Sequence, residues 1–192
     1  MSFLSQIRAA PNLLTLLRLF IIPFLVIEIL DHHYLIALLL FVLAGISDGL
    51  DGRIARWLHQ STRLGQYLDP IADKLLLSTL FLTVTHMGLV PRYVTVLVFS
   101  RDLGILLIST LLYVTSALRD FRPSFLGKVN TSVQIVTMLV ILCRQIWTWP
   151  PLHTISHILI VAIAWLAPLS AAQYAWIVTR RINDRQQAST NV

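Results

Sequence analysis

Four aspartates between residues 48 and 73 are the part of this sequence best suited to chemistry. They stand at Asp48, Asp51, Asp69 and Asp73. Residues three or four apart share one face of a helix, so the first two aspartates form one pair and the last two form another. The polar segment between the pairs is short, which lets the two helices pack as antiparallel neighbours. The four carboxylates are then predicted to converge on one point.

Converging carboxylates need a positive charge to hold them together. Two of them about 5 Å apart repel by about 3 kcal/mol in an effective dielectric of about 20, and each charge inside a membrane adds roughly 2.5–3.5 kcal/mol. An all-oxygen site suits Mg²⁺ or Mn²⁺. The alternative is a set of salt bridges to Arg53, Arg56 and Arg63. The regular spacing of the aspartates favours the metal site.

The elements that must position these aspartates are predicted to be membrane helices. The chain has 192 residues, of which 56% are hydrophobic and only 12% are charged, about half the charged share of a soluble domain. Several apolar runs approach the ~20 residues that a helix needs to cross a bilayer. Six spans are predicted, at residues 12–30, 35–57, 70–89, 92–117, 127–146 and 152–179. The fold class is therefore all-α: one polytopic membrane domain over residues 1–192, with a flexible polar tail at 181–192.

The distribution of lysine and arginine predicts the orientation of these spans. With the N-terminus inside, only Arg92 and Arg144 among the loop and span-end cations fall on the outer side, so both termini are expected to be cytoplasmic. The chain re-enters the membrane at Asp69 and Pro70, which suit an N-cap and a first helical position. The aspartates then lie just below the cytoplasmic surface. Topology and attraction to anionic membrane lipids account for the net charge of +6, without any nucleic acid partner.

Small residues and one arginine accompany the aspartates at fixed positions. The pattern reads Asp48-x-x-Asp51-Gly52-x-x-Ala55-Arg56, followed later by Gly65-x-x-x-Asp69-x-x-x-Asp73. It resembles the signature of the CDP-alcohol phosphotransferase family, whose members have six membrane helices, are typically homodimers, and transfer a phosphatidyl or similar group from a CDP-linked donor to an alcohol with release of CMP. The resemblance implies two Mg²⁺ or Mn²⁺ ions, a bacterial inner-membrane location and an active site facing the cytoplasm.

The resemblance also assigns a role to each position of the pattern. It places Asp48, Asp51, Asp69 and Asp73 at the metal ions and makes Asp73 the catalytic base. It gives Asp51, Gly52, Ala55, Arg56 and Gly65 to the CDP group of CDP-diacylglycerol. Small residues also have a physical reason to be there, because they let helices and a nucleotide approach closely.

Two polar stripes are candidates for binding the acceptor alcohol. Asn12, Thr15 and Arg18 follow one face of the first helix, and Gly127-Lys128-x-x-Thr131-x-x-Gln134 opens the fifth. Both stripes resemble phosphatidylglycerophosphate synthases of the same family. Together with Arg101 inside the fourth span, the cations Arg18 and Lys128 suit a phosphate monoester, so glycerol 3-phosphate is the predicted acceptor. The candidate acceptor-binding residues are Asn12, Thr15, Arg18, Arg101, Lys128 and Thr131. The alternative for Arg101 is a salt bridge with the adjacent Asp102.

A second acceptor and two other protein classes stay open. Ser100-Arg101-Asp102, with Pro123-Ser124-Phe125 and Gly127-Lys128-Val129-Asn130-Thr131 after it, resembles the cardiolipin synthases of the family, which use phosphatidylglycerol. An intramembrane prenyltransferase also binds pyrophosphate through aspartates, but its two motifs lie far apart in the chain. A metal transporter would leave the small residues and arginine of the pattern unexplained. The sequence thus favours an enzyme of phospholipid synthesis.

Overall fold

The computed structural model describes the backbone over residues 10–57, 63–114 and 125–190, and side chains over 15–49, 71–108 and 125–180. These residues form six α-helices, which confirms the all-α fold class. In chain order they are α1 (Ala10–Leu30), α2 (Tyr34–Trp57), α3 (Arg63–His86), α4 (Arg92–Val114), α5 (Phe125–Ile146) and α6 (Pro150–Thr190). The six predicted spans coincide with these helices, although several helix ends differ.

The helices carry apolar side chains on their outer surfaces. Within the described residues, Phe125–Ile146 and Pro150–Arg180 are long and apolar enough to cross a membrane, and Tyr34–Gly49 is a shorter apolar helix. Large side chains such as Trp165 and Trp176 are about 70% exposed, which suits a surface that faces lipid rather than water. Six membrane spans and two cytoplasmic termini remain predictions.

The chain divides into two compact units. The first contains Met1–Val90 and Met138–Ile155, and the second contains Pro91–Thr137 and Ser156–Val192. Within the first unit, α1 packs against both α2 and α3. The arrangement makes α1 the common neighbour of the two helices that carry the aspartates.

A buried stripe on α1 explains this packing. The residues of the stripe recur every three or four positions, which places them on one face of the helix: Thr15, Arg18, Ile21, Leu25 and Ile29. The facing helices contribute small buried residues, among them Ala44 and Ser47 of α2 and Ala72 of α3. Small residues let membrane helices approach closely. The two nearest to the motif, Ser47 and Ala72, directly precede Asp48 and Asp73.

Helices α1 and α3 end in the same kind of turn. At the end of α1, the His33 amide donates to the Glu28 carbonyl at 2.8 Å and the His32 amide to the Ile29 carbonyl at 3.1 Å, with His32 at φ 63°. The same pair of bonds closes α3 around Gly88, whose φ is 71°. This is the Schellman arrangement, in which a left-handed residue satisfies the last carbonyls of a helix. Both connections to the next helix are therefore short and fixed.

The predicted start of the third helix is wrong. Helix α3 begins at Arg63, so Asp69 and Pro70 lie inside it rather than at its N-cap and first position. A proline inside a helix removes one backbone hydrogen bond, which neighbouring groups can compensate in membrane helices. The longer helix places Asp69 and Asp73 on one continuous segment, one turn apart.

The second unit contains another buried stripe, on α6. Its members recur at helical spacing: Ser156, Ile160, Ile163, Ala167, Ser170, Tyr174 and Val178. Ser170 accepts a hydrogen bond from Nε of Arg101 in α4, at 3.1 Å. Gln173 accepts one from the backbone amide of Leu126, in the first turn of α5, at 3.3 Å. These two contacts connect α4 and the start of α5 to the same stretch of α6.

Candidate active site

Arg18 joins two of the motif aspartates. Its Nη2 atom lies 3.0 Å from Oδ1 of Asp48, and its Nη1 atom lies 2.5 Å from Oδ1 of Asp73. The three residues come from three helices, because Arg18 is on α1, Asp48 on α2 and Asp73 on α3. The predicted convergence of carboxylates from α2 and α3 is therefore observed for this pair. One guanidinium is bound by both carboxylates.

The burial of the three groups differs sharply. The side chain of Arg18 is fully buried, whereas those of Asp48 and Asp73 are 49% and 42% exposed. The arginine therefore supports the carboxylates from the inside, and their open sides face outward. Among these three described groups, one positive charge against two negative charges leaves a net negative charge. An oxygen-rich, net negative and accessible centre fits a divalent cation.

The rest of the motif lies on the same two helices. Helix α2 is continuous through Asp48 and Asp51, and α3 through Asp69 and Asp73, so each pair stands about one turn apart. The structure does not describe the surroundings of the other motif positions, which are Asp51, Gly52, Ala55, Arg56, Gly65 and Asp69. Among the side chains that are described, no three of the His, Cys, Asp and Glu residues form a metal-binding group. The metal site predicted from the sequence also includes Asp51 and Asp69, whose side chains are outside that part.

The partners of Arg18 were not anticipated from the sequence. Sequence reasoning placed Arg18 with the acceptor phosphate, on a stripe with Asn12 and Thr15. The structure shows its guanidinium on the two aspartates, with Thr15 buried one turn earlier on the same face. The side chain of Asn12 is outside the described residues. The sequence did contain a signal for this pairing, because an arginine within a predicted membrane span is usually paired with a partner in the protein.

Arg101 forms a second buried ion pair. Its Nη1 atom lies 2.5 Å from Oδ1 of the adjacent Asp102, and its Nε donates to Ser170. The side chains of Arg101 and Asp102 are 6% and 3% exposed. The charge that sequence reasoning assigned to an acceptor phosphate is therefore neutralised by its neighbour. The alternative for Arg101, a salt bridge with Asp102, is therefore what the structure shows, and Ser170 is the partner that sequence reasoning left out.

The stripe at the start of α5 divides into exposed and buried members. Lys128 is exposed, and Thr131 donates its hydroxyl to the Gly127 carbonyl at 3.2 Å. Asn130 and Gln134 are fully buried on an adjacent face. Two of the predicted acceptor-binding residues in the second unit are cations, Arg101 and Lys128. Arg101 is buried, whereas Lys128 is exposed.

The residues of this centre lie in a region that matches a known protein family. A family model described as CDP-alcohol phosphatidyltransferase matches residues 8–178. The chain belongs to the CDP-alcohol phosphatidyltransferase family. The resemblance read from the aspartate pattern is thereby confirmed, and the centre formed by Arg18, Asp48 and Asp73 lies within the matched region. A CDP-alcohol phosphatidyltransferase is a transferase of phospholipid biosynthesis that works at a membrane.

Individual relatives of this CDP-alcohol phosphatidyltransferase carry two different names. The chain is 36% identical over 157 residues to a rat cardiolipin synthase (CMP-forming). The aligned region covers 72% of this chain and 51% of the relative. It is 34% identical over 180 residues to a putative cardiolipin synthase of Mycobacterium tuberculosis, covering 90% and 79%. It is also 31% identical over 194 residues to a probable phosphatidylglycerophosphate synthase of the same species, covering 97% and 89%. The chain spans about half the length of the animal cardiolipin synthases that it matches.

Proposed function

We propose that this transferase moves the phosphatidyl group of CDP-diacylglycerol to phosphatidylglycerol, forming cardiolipin and releasing CMP. The observation that carries the choice of acceptor is the buried pair of Arg101 and Asp102. Such a pair offers hydrogen-bond donors but no net charge, which suits a phosphodiester better than a dianionic monoester. Arg18 is likewise neutralised, by Asp48 and Asp73. The cardiolipin synthases among the relatives support the same acceptor.

The aspartates supply the metal-binding part of this proposal. Asp48 and Asp73 already enclose a cation in the form of the Arg18 guanidinium, so their geometry fits positive charge. With Asp51 and Asp69 they would hold Mg²⁺ or Mn²⁺, which supplies Lewis-acid stabilisation of the charge that develops on the departing CMP. Gly52, Ala55, Arg56 and Gly65 are proposed to bind the CDP group.

Asp73 is proposed to take the proton from the attacking hydroxyl of the acceptor. Its carboxylate is 42% exposed, which leaves it accessible to a substrate, and Arg18 fixes its Oδ1 atom from the buried side. Fixing one oxygen orients the carboxylate, as a positioned general base requires. The active site is proposed to face the cytoplasm of a bacterial cell, in an enzyme that functions as a homodimer.

Glycerol 3-phosphate is the second candidate acceptor. The relative named as a probable phosphatidylglycerophosphate synthase spans nearly the whole chain, and Lys128 is exposed at the start of α5. An exposed lysine can supply the extra positive charge that a monoester needs. If this acceptor is correct, Arg101→Ala should raise the KM for glycerol 3-phosphate far more than the KM for CDP-diacylglycerol.

One assay decides between the two acceptors. Purified protein in mixed micelles is given CDP-diacylglycerol and Mg²⁺ or Mn²⁺, with either phosphatidylglycerol or glycerol 3-phosphate, and CMP release is measured. We expect CMP and cardiolipin with phosphatidylglycerol, and turnover lowered by at least about a hundredfold in an Asp73→Asn control. CMP release with glycerol 3-phosphate alone would replace the proposed acceptor, and release with neither would refute the proposed function.

A further inference from the structure

Two buried amides on α5 lack the hydrogen bonds that such groups need. Asn130 and Gln134 are fully buried, and neither the amide oxygen nor the amide nitrogen of either residue has a hydrogen-bond partner in the part of the chain that the structure describes. Buried polar atoms in folded proteins are nearly always hydrogen-bonded, because an unpaired one is destabilising. Four such atoms within one helical turn indicate that a polar partner is missing.

Other buried polar groups of the protein show the contrast. The hydroxyl of Thr137, one turn deeper on the same helix, donates to the Val133 carbonyl at 2.6 Å. Ser47 and Thr83 donate to carbonyls of their own helices in the same manner, at 2.8 Å. Hydroxyl side chains satisfy themselves on the preceding turn, and these do. Arg18 Nε, Asp102 Oδ2 and Arg144 Nε also lack a hydrogen bond, but each belongs to a side chain that is bonded through another atom. Among the described side chains with such atoms, the two amides are the ones in which both the oxygen and the nitrogen lack a partner.

The missing partner can be described from the atoms that it must satisfy. Each amide presents one acceptor oxygen and two N–H donors. An anion would satisfy only the donors, and a cation would satisfy only the oxygens. A hydroxyl both donates and accepts, so two adjacent hydroxyls match two amides that stand one turn apart. The complement is a vicinal diol.

The position of the amides is within reach of a polar head group. Helix α5 begins at Phe125, so Asn130 and Gln134 lie roughly 8 and 14 Å along its axis at 1.5 Å per residue. Both amides thus lie within about three turns of the predicted cytoplasmic end of α5.

We propose that Asn130 and Gln134 bind the vicinal diol of a glycerol-bearing acceptor. This inference rests on the proposed transferase function, but it does not depend on which acceptor is used. The head group of phosphatidylglycerol and glycerol 3-phosphate each carry two adjacent free hydroxyls. The amide pair thus selects glycerol over alcohols that lack the second hydroxyl.

Binding to the wild-type protein without CDP-diacylglycerol is the first test. In detergent micelles, the rise of Tm with added lipid gives the affinity for phosphatidylglycerol and for phosphatidylmethanol, which has the same phosphodiester but no diol. A parallel arm compares glycerol 3-phosphate with methyl phosphate. We expect roughly tenfold or tighter binding of the diol compound in at least one arm, because its absence leaves buried amides unpaired. Equal binding in both arms would overturn the inference.

Three variants complete the test. Asn130→Leu and Gln134→Met replace the amides by apolar groups of similar size, and Thr137→Val is the matched control on the same helix. We expect the two amide variants to lose the preference for the diol while their ligand-free Tm stays unchanged or rises, and the control to keep the preference. Retained preference in the amide variants would show that the amides do not recognise the diol and would overturn the inference.

The outcomes separate this inference from the proposed function. If the wild-type protein releases CMP with neither glycerol acceptor, the proposed function fails. If it turns over normally and the amide variants discriminate as the wild type does, only the diol assignment fails. If the amide variants do not fold, the wild-type comparison of diol and methyl compounds still decides.

Discussion

Replacing Arg18 by methionine should destabilise the protein in a way that a divalent cation reverses. The change removes the guanidinium that binds Oδ1 of Asp48 at 3.0 Å and Oδ1 of Asp73 at 2.5 Å, but keeps a long unbranched side chain in the buried stripe. Breaking a buried ion pair by removing one partner costs about 3–5 kcal/mol. The remaining carboxylates are 49% and 42% exposed and can be hydrated, so we expect the lower value, about 3 kcal/mol. For a chain of this length that is a fall in Tm of roughly 6–12 °C.

The same change should strengthen metal binding. A unit charge about 5 Å from a bound ion contributes about 3 kcal/mol per ion charge in an effective dielectric of about 20. The exposure of the carboxylates screens most of this repulsion, so we take about 1.4 kcal/mol, which is tenfold in affinity. Thermal unfolding of the detergent-solubilised protein, titrated with Mn²⁺, measures both quantities. The Mn²⁺-induced rise in Tm should be larger, and half-complete at a lower concentration, in Arg18→Met than in the wild type.

Arg144→Met is the matched control. Arg144 lies in the same unit, is partly buried, and donates from Nη2 to the Leu89 carbonyl at 3.1 Å, away from the motif aspartates. This variant should lose stability but respond to Mn²⁺ as the wild type does. An Arg18→Met protein whose Tm deficit is the same at all Mn²⁺ concentrations would refute the counter-ion role of Arg18.

The remaining predictions concern the metal, the base, the second ion pair and the topology. Excess EDTA should abolish CMP release and added Mn²⁺ or Mg²⁺ should restore it, whereas turnover in EDTA would exclude a metal site. Asp73→Asn should lower kcat by about 10²–10⁴ with CDP-diacylglycerol binding retained, and near wild-type kcat would assign the proton to another group. Arg101→Leu should lower the free energy of unfolding by about 3–5 kcal/mol, because it leaves the buried Asp102 without its ion-pair partner. Adding Asp102→Leu should recover most of the lost Tm, and additive losses in the double variant would contradict the ion pair. In a Cys143→Ser background, a single cysteine is introduced at either terminus. It should react with a membrane-impermeant maleimide only after the cells are permeabilised, and labelling in intact cells would contradict the predicted orientation.

The sequence predicted the helices and the pairing of the aspartates because both follow from local rules. Apolar runs of sufficient length predicted all six helices, and the three- and four-residue spacings predicted which aspartates share a face. The boundary at Asp69 and Pro70 was missed because a strong local start signal was overridden by the continuing helix from Arg63. A proline does not by itself mark a helix start in a membrane protein, because neighbouring groups can compensate for its missing N–H inside a helix.

The partners of Arg18 could not be predicted from the sequence. Arg18 precedes Asp73 by 55 residues. The local sequence around Arg18 does not indicate that α1 packs against both helices that carry the aspartates. For Arg101 the adjacent Asp102 was a local alternative to an acceptor phosphate. The structure places both arginines beside carboxylates of the protein itself.

The placement of Arg18 on α1 has a consequence for biogenesis. The chain is synthesised from its N-terminus, so the arginine leaves the ribosome before either of its carboxylate partners. At about 5–20 residues per second, the 55 residues to Asp73 take roughly 3–11 s to translate. During that interval α1 carries an unmatched cation and α2 then supplies only one of the two anions. Release of this region from the insertion machinery into lipid is therefore expected to wait for α3, so that the first three helices enter the bilayer as a unit.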